Sequence, residues 1–293
     1  MTSYKYIKSD AFTSKYSLGN PAASIYLEKN QALTDTQMQE IARQHRGFVS
    51  EVVFCKTVND SLFQLTFYSS ECEVNFCGHG TIACMYALIK SRPDLQTQQE
   101  IKVQTRRKGN LYVYNRIATQ DAVFISAPEP INLDMPVSEQ EIIDNLQIDS
   151  SVITKKYPLD FIDAGNRTLI IPISTLHDEV SVFPNEQSLK SFSLENDIDI
   201  ILIFCKDTEN KTHFVHTRVF AAKYGYLEDP ATGSGNAAFG YYMLKNKIWN
   251  GSDITIEQGG CDRIFNTVHL SVEKTTILFG GSATTRIEGV YYV

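Results

Sequence analysis

Two short glycine-rich segments of the chain carry side chains that could transfer a proton or bind an anion. The first, residues 77–80, reads Cys-Gly-His-Gly and precedes an uncharged run, which places His79 at or near the N-cap of a helix. Because the helix dipole opposes positive charge at that end, we expect a neutral imidazole that donates to a substrate oxygen or relays a proton. A capping or core histidine is the alternative, although the flanking glycines favour close approach of a ligand to the backbone.

The second segment, residues 228–235, reads Glu-Asp-Pro-Ala-Thr-Gly-Ser-Gly. Asp229 precedes a proline, which holds it extended, and the Gly-Ser-Gly turn can present several N–H groups to an anion. A Gly-Ser-Gly sequence alone is more often a simple turn. The segment lacks the Gly-Lys-Ser/Thr ending of a phosphate-binding loop, and the chain has no Rossmann fingerprint.

Further candidates are a lone carboxylate, a cysteine and a pair of histidines. Glu51 lies in an apolar strand, either at an exposed edge or at a site where burial raises the carboxyl pKa. Cys77 lies one residue before the predicted helix, where a thiolate would be stabilised. An enzyme that moves protons with two thiols needs a second cysteine at the equivalent position of the other half, and that position holds Thr232. His213 and His216 lie three apart on a predicted strand and would point to opposite faces, which argues against a metal pair.

Two helices must position these groups, and they form an internal repeat. Residues 76–86 align with residues 231–241 at a constant offset of 155, so that the glycines of the two segments coincide. Residues 81–89 and 236–244 carry no charge, and a helix that is apolar on every face must be buried on every face. Two such helix N-termini facing each other across a domain interface would form a cleft that binds a carboxylate.

The remaining pattern predicts an α+β fold of two similar domains, each a barrel-like curved β-sheet around a central helix. A helix begins after the N-cap Thr34, and a proline-rich segment between Ala127 and Pro136 marks a domain boundary. We assign residues 1–128 to the first domain and residues 129–280 to the second, with residues 281–293 as a candidate to pack back on the first. The predicted strands span residues 4–12, 22–27, 51–56, 61–68, 101–103, 111–114, 123–125, 169–173, 198–204, 213–220, 254–258, 268–272 and 276–279.

Composition excludes several classes of protein. The 293 residues are 43% hydrophobic and 21% charged, unlike disordered, collagen-like or coiled-coil chains. A net charge of −7 removes the electrostatic attraction that nucleic-acid binding requires. We interpret the short basic clusters as solvated turns: Lys5, Lys8 and Lys15, and Arg106, Arg107 and Lys108.

The sequence also predicts the compartment. We find no signal peptide and no apolar run long enough to span a membrane. The six cysteines, 55, 72, 77, 84, 205 and 261, include no CxxC pair, so reduced thiols and a cytoplasmic location are expected.

Six motifs in order carry a resemblance to a known family. They are Asp10-Ala11-Phe12-Thr13, Gly19–Ala23, Ser50–Phe54, Cys77–Thr81, Asp229–Ser234, and Gln258-Gly259 with Arg263. Over nearly its whole length the chain resembles the PhzF-like family of phenazine biosynthesis isomerases, within the diaminopimelate epimerase-like fold. The resemblance implies two similar halves, each a barrel-like sheet around a central helix, with the active site between them.

The resemblance also implies roles for particular residues. Glu51 would be the general acid/base that moves a proton between two carbons of a small carboxylated metabolite such as a dihydroaromatic amino acid, and His79 and Asp229 would assist. The backbone around the two helix starts would bind the substrate, through Gly78, Gly80, Gly233, Ser234 and Gly235. The family uses no cofactor and no metal, and homodimers are typical.

Three residues depart from the family pattern, and two other functions remain open. Val52 replaces a threonine, Asn75 a proline, and Gly80 an alanine or proline; none removes a proton-transfer group, but they leave the substrate open. One alternative is an amino-acid racemase or epimerase that uses Cys77. The other is a catalytically silent protein that binds metabolites.

Overall fold

The computed structural model describes residues 2–107, 109–260 and 264–293, and the chain forms two compact units. The first unit comprises Met1–Ser126 with Gly280–Val293, and the second comprises Ala127–Phe279. The predicted Arg263 and Lys108, together with Cys261, lie outside the described residues.

The first unit contains most of its strands in the N-terminal part of the chain. Its strands are β1 (Ser3–Ala11), β2 (Asn20–Leu27), β3 (Glu51–Asn59), β4 (Leu62–Ser69), β5 (Glu73–Val74), β6 (Glu100–Thr105), β7 (Gly109–Arg116) and β8 (Ala122–Ser126). Its helices are α1 (Asp35–Gln44), α2 (Gly78–Ser91), α3 (Pro93–Gln96) and α4 (Ile117–Gln120).

The second unit has a similar order of strands. Its strands are β9 (Ile131–Asn132), β10 (Asp160–Asp163), β11 (Arg167–Pro172), β12 (Ile200–Cys205), β13 (Val215–Phe220), β14 (Glu228–Asp229), β15 (Ile254–Gln258) and β16 (Asn266–Glu273). Its helices are α5 (Glu139–Leu146), α6 (Leu176–Val180), α7 (Glu186–Glu195) and α8 (Gly233–Lys245). The chain then returns to the first unit through β17 (Thr276–Gly281) and β18 (Ala283–Tyr292), and β18 pairs antiparallel with β1.

The strand pairings of the two units repeat one another. In the first unit β1–β2, β3–β4, β4–β5 and β6–β7 are antiparallel, whereas β2–β3 and β4–β6 are parallel. The second unit shows the same sequence of pairings from β10 to β16. Strands β5 and β14 begin 155 residues apart, as do helices α2 and α8. The repeat predicted from the sequence is therefore confirmed.

Each unit curves its sheet around one buried helix. Every residue of α2 from Gly80 to Ile89 is buried, and this helix packs against β1, β2, β3, β8 and β18. Helix α8 packs against β10, β11, β12 and β16, and most of its residues are buried. This burial explains the absence of charge from residues 81–89 of α2 and 236–244 of α8, and the predicted α+β fold is confirmed.

Local signals account for the other helices. Thr34 caps α1 as predicted, in a capping box with Gln37. Helices α5 and α7 were not predicted from the sequence, although Ser138 and Glu141 form a second capping box and Asn185 caps α7. In the described part of the chain we find no helix with the length and apolar character needed to cross a bilayer.

The predicted basic clusters are partly neutralised. Arg106 donates to Asp35 at 2.8 Å and Arg107 donates to Glu73 at 2.6 Å, while Lys8 pairs with Asp10. Arg106 and Arg107 lie in a turn, as interpreted, whereas Lys5 and Lys8 lie on β1 and the Lys8 side chain is only 13% exposed, so the interpretation as solvated turns is wrong for these two lysines.

Candidate functional site

The start of β3 and the start of α2 bring a carboxylate and an imidazole together in the first unit. Glu51 is the first residue of β3, between Ala22 of β2 and Ser69 of β4. His79 is the second residue of α2, and its Nε2 lies 3.1 Å from Oε2 of Glu51. The two side chains are 13% (His79) and 17% (Glu51) exposed, so a small molecule can reach them. Sequence reasoning proposes both residues for catalysis, and the structure places them in direct contact.

Cys77 completes a cluster of three groups at this helix start. It is the N-cap of α2, as the sequence predicts, and its Sγ accepts a hydrogen bond from the Gly80 N–H at 3.2 Å. The same sulfur lies 3.8 Å from Oε2 of Glu51 and 3.6 Å from Nδ1 of His79.

Steric crowding explains why position 80 is a glycine. A Cβ there would lie 2.8 Å from Cγ2 of Val53 and 2.9 Å from Sγ of Cys77, both well inside ordinary contact distance. The departure from the alanine or proline of the family thus follows from the way Val53 and Cys77 fill this space.

The charges of the cluster differ from the sequence-based expectation. Burial lowers the pKa of the His79 imidazole, but the neighbouring Cys77 and the Glu51 carboxylate together outweigh it, and the pKa lies well above its usual value. Burial raises the pKa of the Cys77 thiol. His79 and the Gly80 N–H lower it by less, so the pKa of the thiol lies above its usual value. The expected neutral imidazole and stabilised thiolate are therefore both wrong. The pKa of the imidazole and the pKa of the thiol are thus both raised, opposite to the expectation for each group.

A separate polar network surrounds Asp229 in the second unit. Asp229 ends the short strand β14, consistent with the extended backbone expected before a proline, and its Oδ2 accepts a hydrogen bond from the Thr232 hydroxyl at 2.5 Å. The fully buried Gln258 accepts from the Thr232 N–H at 2.9 Å and from Asn236 Nδ2 at 2.7 Å. Its own amide donates to the Asp229 carbonyl at 2.9 Å. This network fixes the loop that presents Asp229.

The residues predicted to bind substrate all lie at the two helix starts. Gly78 and Gly233 are the first residues of α2 and α8. Ser234 is partly exposed and accepts a hydrogen bond from Asn166 at 2.7 Å. The Gly80 N–H is already bonded to Cys77, and a Cβ on Gly235 would lie 3.0 Å from Cδ1 of Ile200, so both glycines have packing roles. Their contact with a substrate stays a prediction.

Two clusters among the described residues have the donor atoms to hold a metal ion. One is Glu51, Cys77 and His79, and the other is Glu179, Cys205 and His216. His213 and His216 do not act as a pair, because His213 lies 2.9 Å from Glu257 whereas His216 faces Glu179.

Sequence reasoning missed the second cluster and the hydrogen bonds of Gln258 and Asn236. The members of the cluster are 26 and 11 residues apart in the chain, a spacing that matches no metal motif. Gln258 is part of a motif quoted for the family resemblance, which is the only signal that could have indicated its role.

Comparison with known proteins identifies the family. The model of the PhzC-PhzF family, described as phenazine biosynthesis-like protein, matches residues 9–289. An uncharacterized isomerase of Halalkalibacterium halodurans is 30% identical over 240 residues, which cover 80% of this chain and 79% of that protein. Antisense-enhancing sequence 1 of Schizosaccharomyces pombe is 28% identical over the full length of both chains.

A solved structure agrees in fold. The Bacillus anthracis phenazine biosynthesis protein of the PhzF family superposes with a TM-score of 0.85 at 24% identity, covering all of both chains. With a family model that spans nearly the whole sequence and relatives named as isomerases, this chain belongs to the PhzF family of phenazine biosynthesis-like proteins and is an isomerase.

Proposed function

We propose that Glu51 is the general acid/base of an isomerase that moves a proton between two carbons of a small carboxylated substrate. The observation that carries the proposal is the 3.1 Å contact of Glu51 with His79 at the N-terminus of a buried helix. A carboxylate that is held by an imidazolium, and still reachable from solvent, is suited to accept and return a proton.

The proposed reaction balances within the enzyme and one substrate molecule. The Glu51 carboxylate takes a proton from a carbon, and the electron pair of the broken C–H bond stays in the substrate as a delocalised carbanion. The resulting carboxylic acid then donates the same proton to a second carbon of that system. The His79 imidazolium stabilises the negative charge beside it while the proton moves.

The N-terminus of α2 supplies a site for the substrate carboxylate. The first intrahelical hydrogen bond runs from the Thr81 N–H to the Cys77 carbonyl at 3.0 Å, and the Gly80 N–H is bonded to Cys77. The N–H groups of Gly78 and His79 precede these bonds, and such groups attract anions. We therefore assign the substrate carboxylate to Gly78 and His79.

The role of Asp229 remains a prediction based on the family resemblance. Its carboxylate already accepts the Thr232 hydroxyl, so it is held in place as an acceptor for a polar group of a substrate. Asp229→Asn tests this role, with reduced turnover as the expected result. Homodimer formation also remains a prediction.

Proton NMR in D₂O tests the proposed function. A panel of dihydroaromatic and plain amino acids, including 2,3-dihydro-3-hydroxyanthranilate, is incubated with the wild type, Glu51→Gln and the control Glu73→Gln. Glu73 is a carboxylate of the same unit that is 14% exposed and faces Arg107. Isomerisation or deuterium uptake should fall about 10²–10⁴-fold in Glu51→Gln and stay close to wild type in Glu73→Gln.

Three outcomes would contradict the proposal. Full turnover in Glu51→Gln would remove Glu51 as the acid/base. If activity instead disappears in Cys77→Ala and persists in Glu51→Gln, the thiol is the base and the racemase alternative holds. Binding without any proton exchange by the wild type across the panel would favour the silent binding protein.

A further inference from the structure

A second cluster of glutamate, cysteine and histidine lies in the core of the second unit. Glu179 comes from α6, Cys205 is the last residue of β12, and His216 lies opposite Cys205 in the pairing of β12 with β13. Glu179 and His216 are 0% exposed and Cys205 is 1% exposed. Helix α6 packs against both strands, which brings the three side chains to one point. Their ligand atoms all lie within 4.8 Å of one another.

The carboxylate and the imidazole of this cluster lack hydrogen bonds, whereas the Cys205 thiol donates to the Asp207 carbonyl at 3.2 Å. Both carboxylate oxygens of Glu179 and both ring nitrogens of His216 are buried without a hydrogen-bond partner, although Nδ1 and Oε2 are only 3.1 Å apart. Another buried charge on β13 is fully paired. The guanidinium of Arg218 bonds both oxygens of Glu228 and the carbonyls of Glu179 and Val182. Buried polar groups are normally paired, so the unpaired atoms of Glu179 and His216 indicate a missing partner.

We propose that Glu179, Cys205 and His216 bind a divalent transition-metal ion, with Zn²⁺ as the preferred ion. Tetrahedral zinc with bonds of about 2.0 Å to nitrogen or oxygen and about 2.3 Å to sulfur separates its ligand atoms by roughly 3.3–3.5 Å. The observed 3.1 Å between His216 and Glu179 is close to that separation. A thiolate and an imidazole select zinc over magnesium or calcium.

Charge balance supports the same assignment. When the ion binds, Cys205 would release to solvent the thiol proton that it donates to the Asp207 carbonyl. The carboxylate, the thiolate and a neutral imidazole then carry two negative charges, which one divalent cation cancels. An apolar core tolerates a neutral group of this kind far better than an isolated charge. The surroundings are apolar, since Cys205 belongs to the hydrophobic core of the second unit and the ring of Phe265 packs edge-on against His216 at 4.5 Å.

The two clusters differ in access to solvent, and this separates their roles. Glu51 and His79 of the first cluster are partly exposed and in contact with each other, as proton chemistry requires. The second cluster is sealed from solvent, as structural zinc sites are, and its three side chains leave the fourth tetrahedral position of the ion to a further ligand. The ion would tie α6 to β12 and β13 and take no part in the proposed reaction, so the expectation of a metal-free mechanism is unaffected.

Metal analysis of the untagged protein tests the proposal. Wild type, Cys205→Ser and the matched control Cys77→Ser are produced in medium supplemented with Zn²⁺ and analysed by mass spectrometry for bound zinc. We expect close to one zinc per chain in wild type and Cys77→Ser, and at least a tenfold loss in Cys205→Ser. The proposal is overturned if the wild type binds no zinc. It is also overturned if Cys77→Ser loses the bound zinc while Cys205→Ser retains it.

Cobalt provides a readout that does not depend on the folding of Cys205→Ser. Wild type and Cys77→Ser are produced with Co²⁺ and examined by absorption spectroscopy. A buried thiolate ligand should give a sulfur-to-cobalt charge-transfer band in the near ultraviolet, with the visible bands of tetrahedral cobalt, in both proteins. The absence of these bands in both, or their disappearance in Cys77→Ser alone, overturns the site.

Discussion

The pKa of His79 should depend in part on the Glu51 carboxylate, and this contribution can be measured without knowing the substrate. Replacing Glu51 by glutamine removes the negative charge 3.1 Å from Nε2 but keeps the size of the side chain. At 3.1 Å, Coulomb's law gives an attraction of about 1.3 kcal/mol with the dielectric constant of water and about 5 kcal/mol with an effective value near 20. Because both groups are partly exposed, we expect the coupling to lie between these limits.

The sign of the effect follows from the causes of the wild-type pKa. Burial lowers the pKa of His79, whereas Cys77 and Glu51 raise it. In Glu51→Gln the burial remains and the carboxylate is gone, so the pKa of His79 should fall. The imidazolium of wild type would persist to higher pH than that of the variant. The fall in pKa, converted at about 1.4 kcal/mol per unit, measures the coupling.

Long-range nitrogen–proton NMR of the histidine rings as a function of pH is the assay. His79→Gln assigns the resonance, and Glu73→Gln is the control, because its carboxylate faces Arg106 and Arg107 and should leave His79 unchanged. A pKa of His79 that stays the same or rises in Glu51→Gln would refute the reasoning. It would mean that the contact with Glu51 does not hold the proton.

Two predictions concern stability, and both use denaturant unfolding as the measurement. Gly80→Ala places a methyl group 2.8 Å from Cγ2 of Val53 and should lower the free energy of unfolding by about 1–3 kcal/mol. The loss should be smaller when Val53→Ala is added. An equal loss with and without Val53→Ala would contradict the steric explanation. Gln258→Leu removes the buried side chain that bonds the Thr232 N–H and the Asp229 carbonyl, and at about 1–3 kcal/mol for each group we expect a loss of roughly 2–6 kcal/mol. Wild-type stability of this variant would show that the two groups find other partners.

The sequence predicted the parts of the fold that depend on local pattern. A stretch of helix that is apolar on every face is stable only in the protein interior. The burial of α2 and α8 therefore follows from the composition of their central residues. The contact between Glu51 and His79 could also have been predicted from the sequence, because both residues belong to motifs of the family resemblance. The distance, the partial exposure and the charge state required the structure.

The parts that could not be predicted depend on the packing of distant segments. Cys205 meets His216 through the register of β12 with β13, and Glu179 joins them only because α6 packs on both strands. Nothing in the local sequence around these three residues indicates that they converge. The neutral imidazole and the thiolate were wrong for a related reason. The sequence shows the helix start, whose dipole favours a neutral imidazole and a thiolate. It does not show the burial of Cys77 or the carboxylate opposite His79.

The repeat itself argues against a symmetric two-base reaction. Cys77 and Thr232 occupy equivalent N-cap positions 155 residues apart, yet their side chains are used differently. The sulfur of Cys77 accepts the Gly80 N–H and lies beside Glu51, whereas the hydroxyl of Thr232 donates its proton to Asp229. A racemase with two equivalent bases needs a proton acceptor at both positions, and a hydroxyl committed to a carboxylate is a poor one at neutral pH. The two N-cap positions therefore differ in the hydrogen bonds of their side chains, and this asymmetry supports the proposal of a single base, Glu51.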